Sequence, residues 1–372
     1  MNDRPRLLLI VAQSGRFLAQ AAVREGFTVR VADCFADVDT LAISEQYLKL
    51  PALDQLTPSH WLQAVITLSA HQYCVLICGT GIERFYSQLA QLPAYIQFAG
   101  PTLTSFSTIC DPRLWTSLLR ELELPHPPTH FKQPQTEAEK WLTKQTASWG
   151  GTHITAAGTM KISATHYYQQ RISGRSASVL FLANGHTARV LLFNEQFPRD
   201  IARNDFSLQG ILNYLELTSA QQAFLHNALQ QLTQRLTLQG LMSLDFIIDD
   251  DATIWLLEIN PRPTASCQLL DDVFPIVNWH LAAVAGVLPQ TFCELSLQKR
   301  LLWFCFSPEN IVIPAAFNWP EYCYDLPADG HLVRQGDVIC SLLISVTAGI
   351  QPNRNNGHQY ANKLVQNLRQ SA

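Results

Sequence analysis

The sequence contains no hydrophobic run of 18 residues, so no membrane-spanning helix is expected. The apolar run near its start, Leu7–Ala12, is short and leads into Gln13-Ser14-Gly15-Arg16. That is not a small-residue cleavage site, and a signal peptide is not expected. Charge is also scarce, at 15% of residues with a net value of −4. No Lys/Arg block interleaved with aromatics occurs, which argues against nucleic acid or a membrane surface as partner. The nine cysteines form no paired CxxC sets, so a structural zinc site is not expected. Several lie in apolar runs, as do Cys74 and Cys78, and read as buried free thiols in a reducing cytoplasm. Neither GxGxxG nor GxxxxGK[ST] is present, which removes the usual dinucleotide and P-loop fingerprints. No internal repeat is evident.

What remains is a globular chain of 372 residues with 47% hydrophobic content, long enough for two or three domains. The first part alternates strands with helices. Arg6–Ala12 reads as a buried strand, Arg16–Glu25 as a helix stopped by Gly26, and Phe27–Ala32 as the next strand. A further strand at Cys74–Cys78 precedes Gly79-Thr80-Gly81 and a helix over Glu83–Gln91. This pattern predicts a parallel sheet with covered faces. Asp111-Pro112 then caps a Leu-rich helix that ends before Pro125. From local chemistry Arg113, on that helix, reads equally well as a surface residue or a phosphate contact.

Trp141–Lys144 predicts a short strand, followed by a small-residue loop through Gly150 and Gly151 to Thr152. A lysine beside glycines can cradle phosphate, because backbone N–H groups approach closely and one point charge is at hand. An ordinary hairpin loop fits the same residues. Tyr167–Gly174, Ser176–Leu182 and Ala188–Phe193 predict an antiparallel layer, with Asn184-Gly185 at one turn. Ser219–Gln239 predicts an amphipathic helix. Asp272–Gly286 predicts another, with His280 read as a packed histidine rather than a ligand. Strands are expected at Arg300–Phe306 and Ile311–Ile313, then short strands and turns over 325–343, and a polar loop at 353–357 before a terminal helix.

The most informative stretch runs from Ser243 to Thr264. Two apolar runs flank Asp249-Asp250-Asp251, which is a hairpin signal. Glu258 and Asn260 are two apart and share a strand face. Folding the hairpin returns Asp245 to the side of Glu258. Two carboxylates and an amide oxygen then converge, with Arg262 just beyond. Such oxygen ligands suit Mg²⁺ or Mn²⁺, held by a few carboxylates together with substrate phosphates. A surface hairpin with solvated acids is the plainer alternative, but a carboxylate within Leu-Leu-Glu-Ile-Asn needs a partner once buried.

On these residues the chain resembles the ATP-grasp superfamily. Glu258-Ile-Asn260-Pro-Arg262 is similar to its Glu-x-Asn-x-Arg motif, and Asp245 stands where its other acid does. Asp111-Pro112-Arg113 looks like the Asp-Lys helix with arginine for lysine. Trp141–Gly151 resembles the lid strand and loop. Tyr168–Gly174 resembles the hinge segment, with Gln169 or Gln170 in place of an acid. Within the superfamily the chain looks most like carboligase-type members related to biotin carboxylase. The Ser-Gly-Arg start, the Phe35–Thr40 segment and Asp325–Gly330 are similar to members associated with methanopterin- or methanofuran-type one-carbon coenzyme biosynthesis.

The resemblance implies a mixed α/β and α+β fold in three parts. These are a Rossmann-like pre-ATP-grasp domain at 1–105, an ATP-grasp domain at 106–290 with a lid over 128–168, and a β-rich C-terminal module at 291–372. It implies ATP with Mg²⁺ or Mn²⁺, and an amide-forming carboxylate–amine ligase working through an acyl phosphate. Asp245, Glu258 and Asn260 would hold metal. Arg113, Lys144, Gly150, Gly151, Gln170, Arg171 and Ile172 would hold the nucleotide. Arg262 would hold the γ-phosphate or the receiving carboxylate. Its partners would be a small carboxylate and a small amine, received near Thr264 and Ser266, and relatives of this kind are often homodimers. The alternatives carried forward are bicarbonate-dependent carboxylation of the biotin-carboxylase or purine-carboxylase type, and nucleotide binding without ligation.

Overall fold

The computed structural model describes residues 6–134, 140–146, 148, 150–157, 165–270, 272, 274–289, 298–345 and 352–371. The expected lid, 128–168, is therefore described in part, and the start of the expected C-terminal module, 291–297, lies outside the described residues.

The first strands are β1 (Leu7–Val11), β2 (Thr28–Asp33), β3 (Gln46–Lys49), β4 (Cys74–Cys78) and β5 (Ile96–Phe98). They form one parallel sheet in the order β3-β2-β1-β4-β5. The central strands are apolar because both faces are covered: Leu8, Leu9 and Ile10 are fully buried. On its two sides lie α1 (Arg16–Arg24) and, after the short α2 (Val38–Leu41), α3 (Pro58–Ser69). Strand order reverses between β1 and β4, so their C-terminal loops flank the crevice where such sheets place ligands. The two loops are joined by Gln13 N donating to Thr80 O at 2.8 Å. After β4, α4 (Ile82–Phe85) carries Glu83 in its only turn, and α5 (Leu103–Cys110) and α6 (Pro112–Glu121) follow.

A four-stranded sheet follows, made of β6 (Thr129–His130), β7 (Trp141–Gln145), β8 (Thr155–Ala156) and β9 (His166–Gln170), in the order β6-β9-β7-β8. The large antiparallel sheet contains β10 (Arg175–Asn184), β11 (Ala188–Asp200), β12 (Asp205–Leu212), β13 (Gln239–Ile248) and β14 (Ile254–Asn260). It continues into β15 (Arg300–Phe306), β17 (Cys323–Tyr324) and β19 (Val338–Ser345), while β16 (Ile311–Val312) and β18 (Leu332–Val333) pair separately. The order is β14-β13-β10-β11-β12-β15-β19-β17. β15, β19 and β17 thus extend the large sheet through the β12–β15 pairing.

One face of this sheet is covered by α7 (Ser219–Leu236), whose Leu225, Leu229 and Leu232 are fully buried. Each contributes about 2 kcal/mol relative to exposure. A capping box between Thr218 and Gln221 starts this helix. The helix stops at Leu236 and not at Gln239, because Thr237 takes the left-handed conformation and Gln239 already belongs to β13. The other face meets α8 (Ile276–Val284), which also touches α1. The last helix, α9 (Arg354–Ser371), starts within the stretch expected as a polar loop. Asn353 Oδ1 accepts from the N–H groups of Asn355 and Asn356, so the polar run is a helix cap and first turn.

Candidate functional site

The β13–β14 hairpin sets the centre of the site. Asp245 pairs directly with Glu258, and Ser243 with Asn260, with a bulge between Asp245 and Phe246. The alternating pattern sends Leu244, Phe246, Leu256 and Ile259 into the core and leaves the polar residues on the opposite face. Asp245 accepts from Gln196 Nε2 at 3.3 Å and from Asn260 Nδ2 at 3.1 Å. Burial raises the Asp245 carboxyl to about 7, and the facing charge of Glu258 adds to the rise. Two carboxylates held side by side in this way repel one another, and a bound cation relieves that cost.

Lys144, on β7, is 5% exposed. Burial pushes its ammonium pKa down, while Glu258 and Asp245 pull it back up. The lysine, on the other sheet, is therefore near enough to feel the charge of the acidic pair. Between the two sheets lies a cleft walled by Gln145, Tyr167 and Gln169 on one side and Leu257 to Asn260 on the other. Its floor comes from Cys110, Pro112, Trp115 and Thr116. Trp115 Nε1 donates to Leu257 O at 2.7 Å, which ties α6 to the metal-side strand. Asp111 caps α6 by accepting from Arg113 N and Leu114 N.

The residues expected from sequence are placed as follows. Asp245, Glu258 and Asn260 meet on one face, and Lys144 approaches them. Arg262 is 6% exposed; its Nε donates to Glu83 Oε1 at 2.6 Å and its Nη2 to Asn260 Oδ1 at 3.1 Å. Arg113 is exposed, with its guanidinium over the Phe131 ring at 4.0 Å, beside the cleft mouth rather than in its wall. Gly150 and Gly151 turn with φ of +66° and +76°. Gly150 O accepts from Leu208 N at 3.2 Å, and a Cβ on Gly151 would overlap Phe206 O. The glycine loop therefore sits against β12. Gln169 lines the cleft, whereas Gln170 does not. Arg171 donates to Asn204 Oδ1 and Ile201 O and covers Phe206, outside the cleft wall. Ile172 is half-buried beyond the end of β9.

Three further contributors were not singled out from sequence. Gln196 reaches Asp245 from β11, Tyr167 walls the cleft from β9, and Glu83 joins from the loop after β4. Only Glu83 carried a signal, its place beside the strand-order reversal. Its partner lies 179 positions away.

Asp245, Glu258 and Asn260 fit a hard divalent cation: two carboxylates and one amide leave room for phosphate oxygens. Asn260 Oδ1 faces Arg262 here, and rotation of the amide would turn it to the acids. Among the described residues no cluster of three or more His, Cys, Asp or Glu side chains forms a self-sufficient metal site.

Residues 110–266 match the family model described as ATP-grasp domain. The carbamoyl phosphate synthase large chain of Rhodopirellula baltica is 23% identical over 250 residues, covering 59% of this chain and 22% of that one. The chain thus spans about a fifth of that relative, and 11% of the large chain of the arginine-specific synthase of Bacillus subtilis. A biotin carboxylase complex from Campylobacter jejuni superposes with a TM-score of 0.69 at 13% identity, covering 95% of this chain and 89% of that one. An L-amino acid ligase from Bacillus licheniformis gives 0.69 at 13% identity, covering 100% and 98%. These likenesses establish a shared fold.

Proposed function

From an ATP-grasp domain at residues 110–266 we infer that the chain is an ATP-dependent ligase that joins a small carboxylate to a small amine. The observation that carries this is the opposed pair Asp245 and Glu258, with Lys144 within reach of their charge, beside a cleft between two sheets that Glu258 and Asn260 line. A carboxylate does not condense with an amine unaided, because its oxygen is a poor leaving group. Phosphorylation by ATP converts it to an acyl phosphate, which the amine then attacks.

Asp245, Glu258 and Asn260 would hold Mg²⁺ or Mn²⁺, which when bound neutralises phosphoryl charge. Lys144 supplies a fixed positive charge where the phosphates meet the acidic pair. Arg262 presents a guanidinium beside Asn260, suited to the receiving carboxylate or γ-phosphate. Gly150 and Gly151, seated on β12, close the cleft against water that would hydrolyse the acyl phosphate. Arg113 would reach the phosphates by leaving Phe131, and Gln170, Arg171 and Ile172 would meet the base through their backbone at the end of β9. With parts at 1–105, 106–290 and 291–372, the acceptor would lie between the strand ends of the first and the segment after Arg262 in the second, and ATP within the second.

On the acceptor side, Thr264 and Ser266 after Arg262 carry hydroxyls 2.9 Å apart that would hold a small substrate. The free state of every described cysteine supports a reducing, cytoplasmic setting. A role in one-carbon coenzyme assembly is the finest form of this proposal and rests on the three similar segments alone.

The test is ADP release over a matrix of carboxylates and amines with Mg²⁺ or Mn²⁺. An active pair should give one amide per ADP. Glu258→Gln should then lower turnover at least 100-fold, in the range of lost transition-state charge stabilisation. Full turnover by that variant would refute the metal assignment.

A further inference from the structure

The cleft handles a polyanion, yet its wall contains two carboxylates, Glu83 and Glu258, and no lysine or arginine among the residues that line it. Glu258 belongs to the cation. Glu83 is not among the expected metal ligands, and its charge is met by Arg262. Glu83 comes from the first domain, just after β4 at the strand-order reversal, and lines the cleft. Its side chain is 8% exposed. Oε1 accepts from Arg262 Nε at 2.6 Å and Oε2 from Gly81 N at 3.0 Å. A carboxylate offers about four acceptor positions, so roughly two stay available.

We propose that Glu83 is the residue that holds the attacking amine and takes its proton. The proposal rests on the ligase reading above and adds the charge class of one substrate, a primary amine that arrives as ammonium. A buried carboxylate at the acceptor end gains a partner when an ammonium enters. Arg262, on the same carboxylate, lies between Glu83 and Asn260, so the amine is set down next to the group that orients the acyl phosphate. In the step itself the ammonium gives one proton to Glu83. The freed nitrogen lone pair forms the C–N bond at the acyl carbon. The C–O bond to phosphorus-bearing oxygen breaks, and phosphate leaves with that electron pair. The second nitrogen proton leaves with the phosphate, giving a neutral amide.

Glu83 could instead be only an interdomain ion pair that keeps Arg262 in place, and the experiment separates the two. Full-length protein is assayed with Mg·ATP and the carboxylate and amine identified by the ADP-release matrix, then with hydroxylamine replacing the amine. Hydroxylamine is small and uncharged at neutral pH, so it traps the acyl phosphate without needing a base. Glu83→Gln, which keeps an acceptor for Arg262, should lower kcat/KM for the amine about 100-fold and leave hydroxamate formation within about threefold of wild type. Glu83→Asp should recover at least about tenfold of the amine reaction. A single cooperative unfolding transition and retained Mg·ATP binding mark a folded variant, even where loss of the buried ion pair lowers the midpoint. An equal fall in amide and hydroxamate would show action through Arg262 and overturn the proposal, as would no fall in either. Wild-type protein that yields neither product across the matrix defeats the ligase reading itself.

Discussion

At the residue scale, His280 shows how burial fixes a protonation state. The side chain is 2% exposed, and both ring nitrogens are used. Nδ1 accepts from Leu241 N at 2.9 Å, and Nε2 donates to Ala99 O at 3.0 Å. This is the neutral tautomer, and burial pushes the pKa down to about 4. The unfolded chain takes up a proton near 6.5, before the folded one can. Stability from this group is therefore intact above about 6.5 and lost as pH falls toward 4, by about 3 kcal/mol in full. His280→Gln keeps one donor and one acceptor but cannot titrate. Its deficit against wild type should narrow as pH drops from 7 to 4.5, read by urea unfolding at each pH. A constant deficit would mean that His280 takes up its proton in the folded state as readily as in the unfolded chain. The sequence supported a packed histidine here from its place among apolar residues, but not the two backbone partners, which come from β13 and the first domain.

At the element scale, the glycine loop and the hairpin differ in how far the sequence revealed them. The hairpin was legible because two apolar runs, each carrying an acid, flank a three-aspartate turn; the bulge between Asp245 and Phe246 that sets Asp245 against Glu258 was not. A slip by one residue would put Asp245 or Glu258 into the core. Short β3 and β5 were not legible: four and three residues with little apolar content give no period to detect. They exist because β2 and β4 offer unpaired edges. The loop was visible as glycines, while its seat was not, since Phe206 lies some fifty positions on. That seat yields a prediction. Gly151→Ala forces a Cβ into Phe206 O at φ +76°, whereas Gly150→Ala meets nothing within 4 Å. Both positions pay the left-handed backbone cost of order 1–2 kcal/mol. Only Gly151→Ala should also stop the loop from seating, lowering turnover at least about tenfold more than Gly150→Ala, with thermal unfolding little changed in either. Equal losses would show that the β12 seat is irrelevant to turnover.

For the whole molecule, the question is what joins the first domain to the far end of the large sheet. Arg16, 2% exposed, lies at the start of α1. Its Nε and Nη2 bond Asp325 at 3.1 and 3.0 Å, its Nη2 also bonds Gln268, and its guanidinium covers Tyr324 at 4.8 Å. Asp325 further accepts from Ser14 and Ser341, while Asp39 accepts from the N–H groups of Asp325 and Leu326. One arginine thus fastens the loop after β1, the segment after Arg262 and the C-terminal strands. Arg16 and its hydrogen bonds hold the Asp325 carboxyl below the usual range despite burial. Its contribution is therefore present above the unfolded pKa and lost as pH falls through the folded one. Asp37 stands in the same cluster, 7% exposed, with Oδ2 lacking a partner. Burial, then Asp325, Asp33 and Asp39, raise it to about 8, and Arg16 only partly offsets them. Its sign is the reverse. Below about 4 it is protonated in both states. As pH rises toward 8 the unfolded chain is ionised while the folded one resists, and stability declines throughout that window. Two variants should then part company. Asp325→Asn removes the nearest carboxylate from a buried arginine, leaving Asp39 at 3.9 Å, and should cost about 3–5 kcal/mol at pH 7. Asp37→Asn removes only the titration, so its stability relative to wild type should rise steadily from pH 5 to pH 8.5. Urea unfolding across that range, followed by Trp fluorescence, reads both. A pH-independent difference for Asp37→Asn would mean the carboxyl is ionised in the folded junction, and the single arginine would then have to balance a larger negative charge than this arrangement allows.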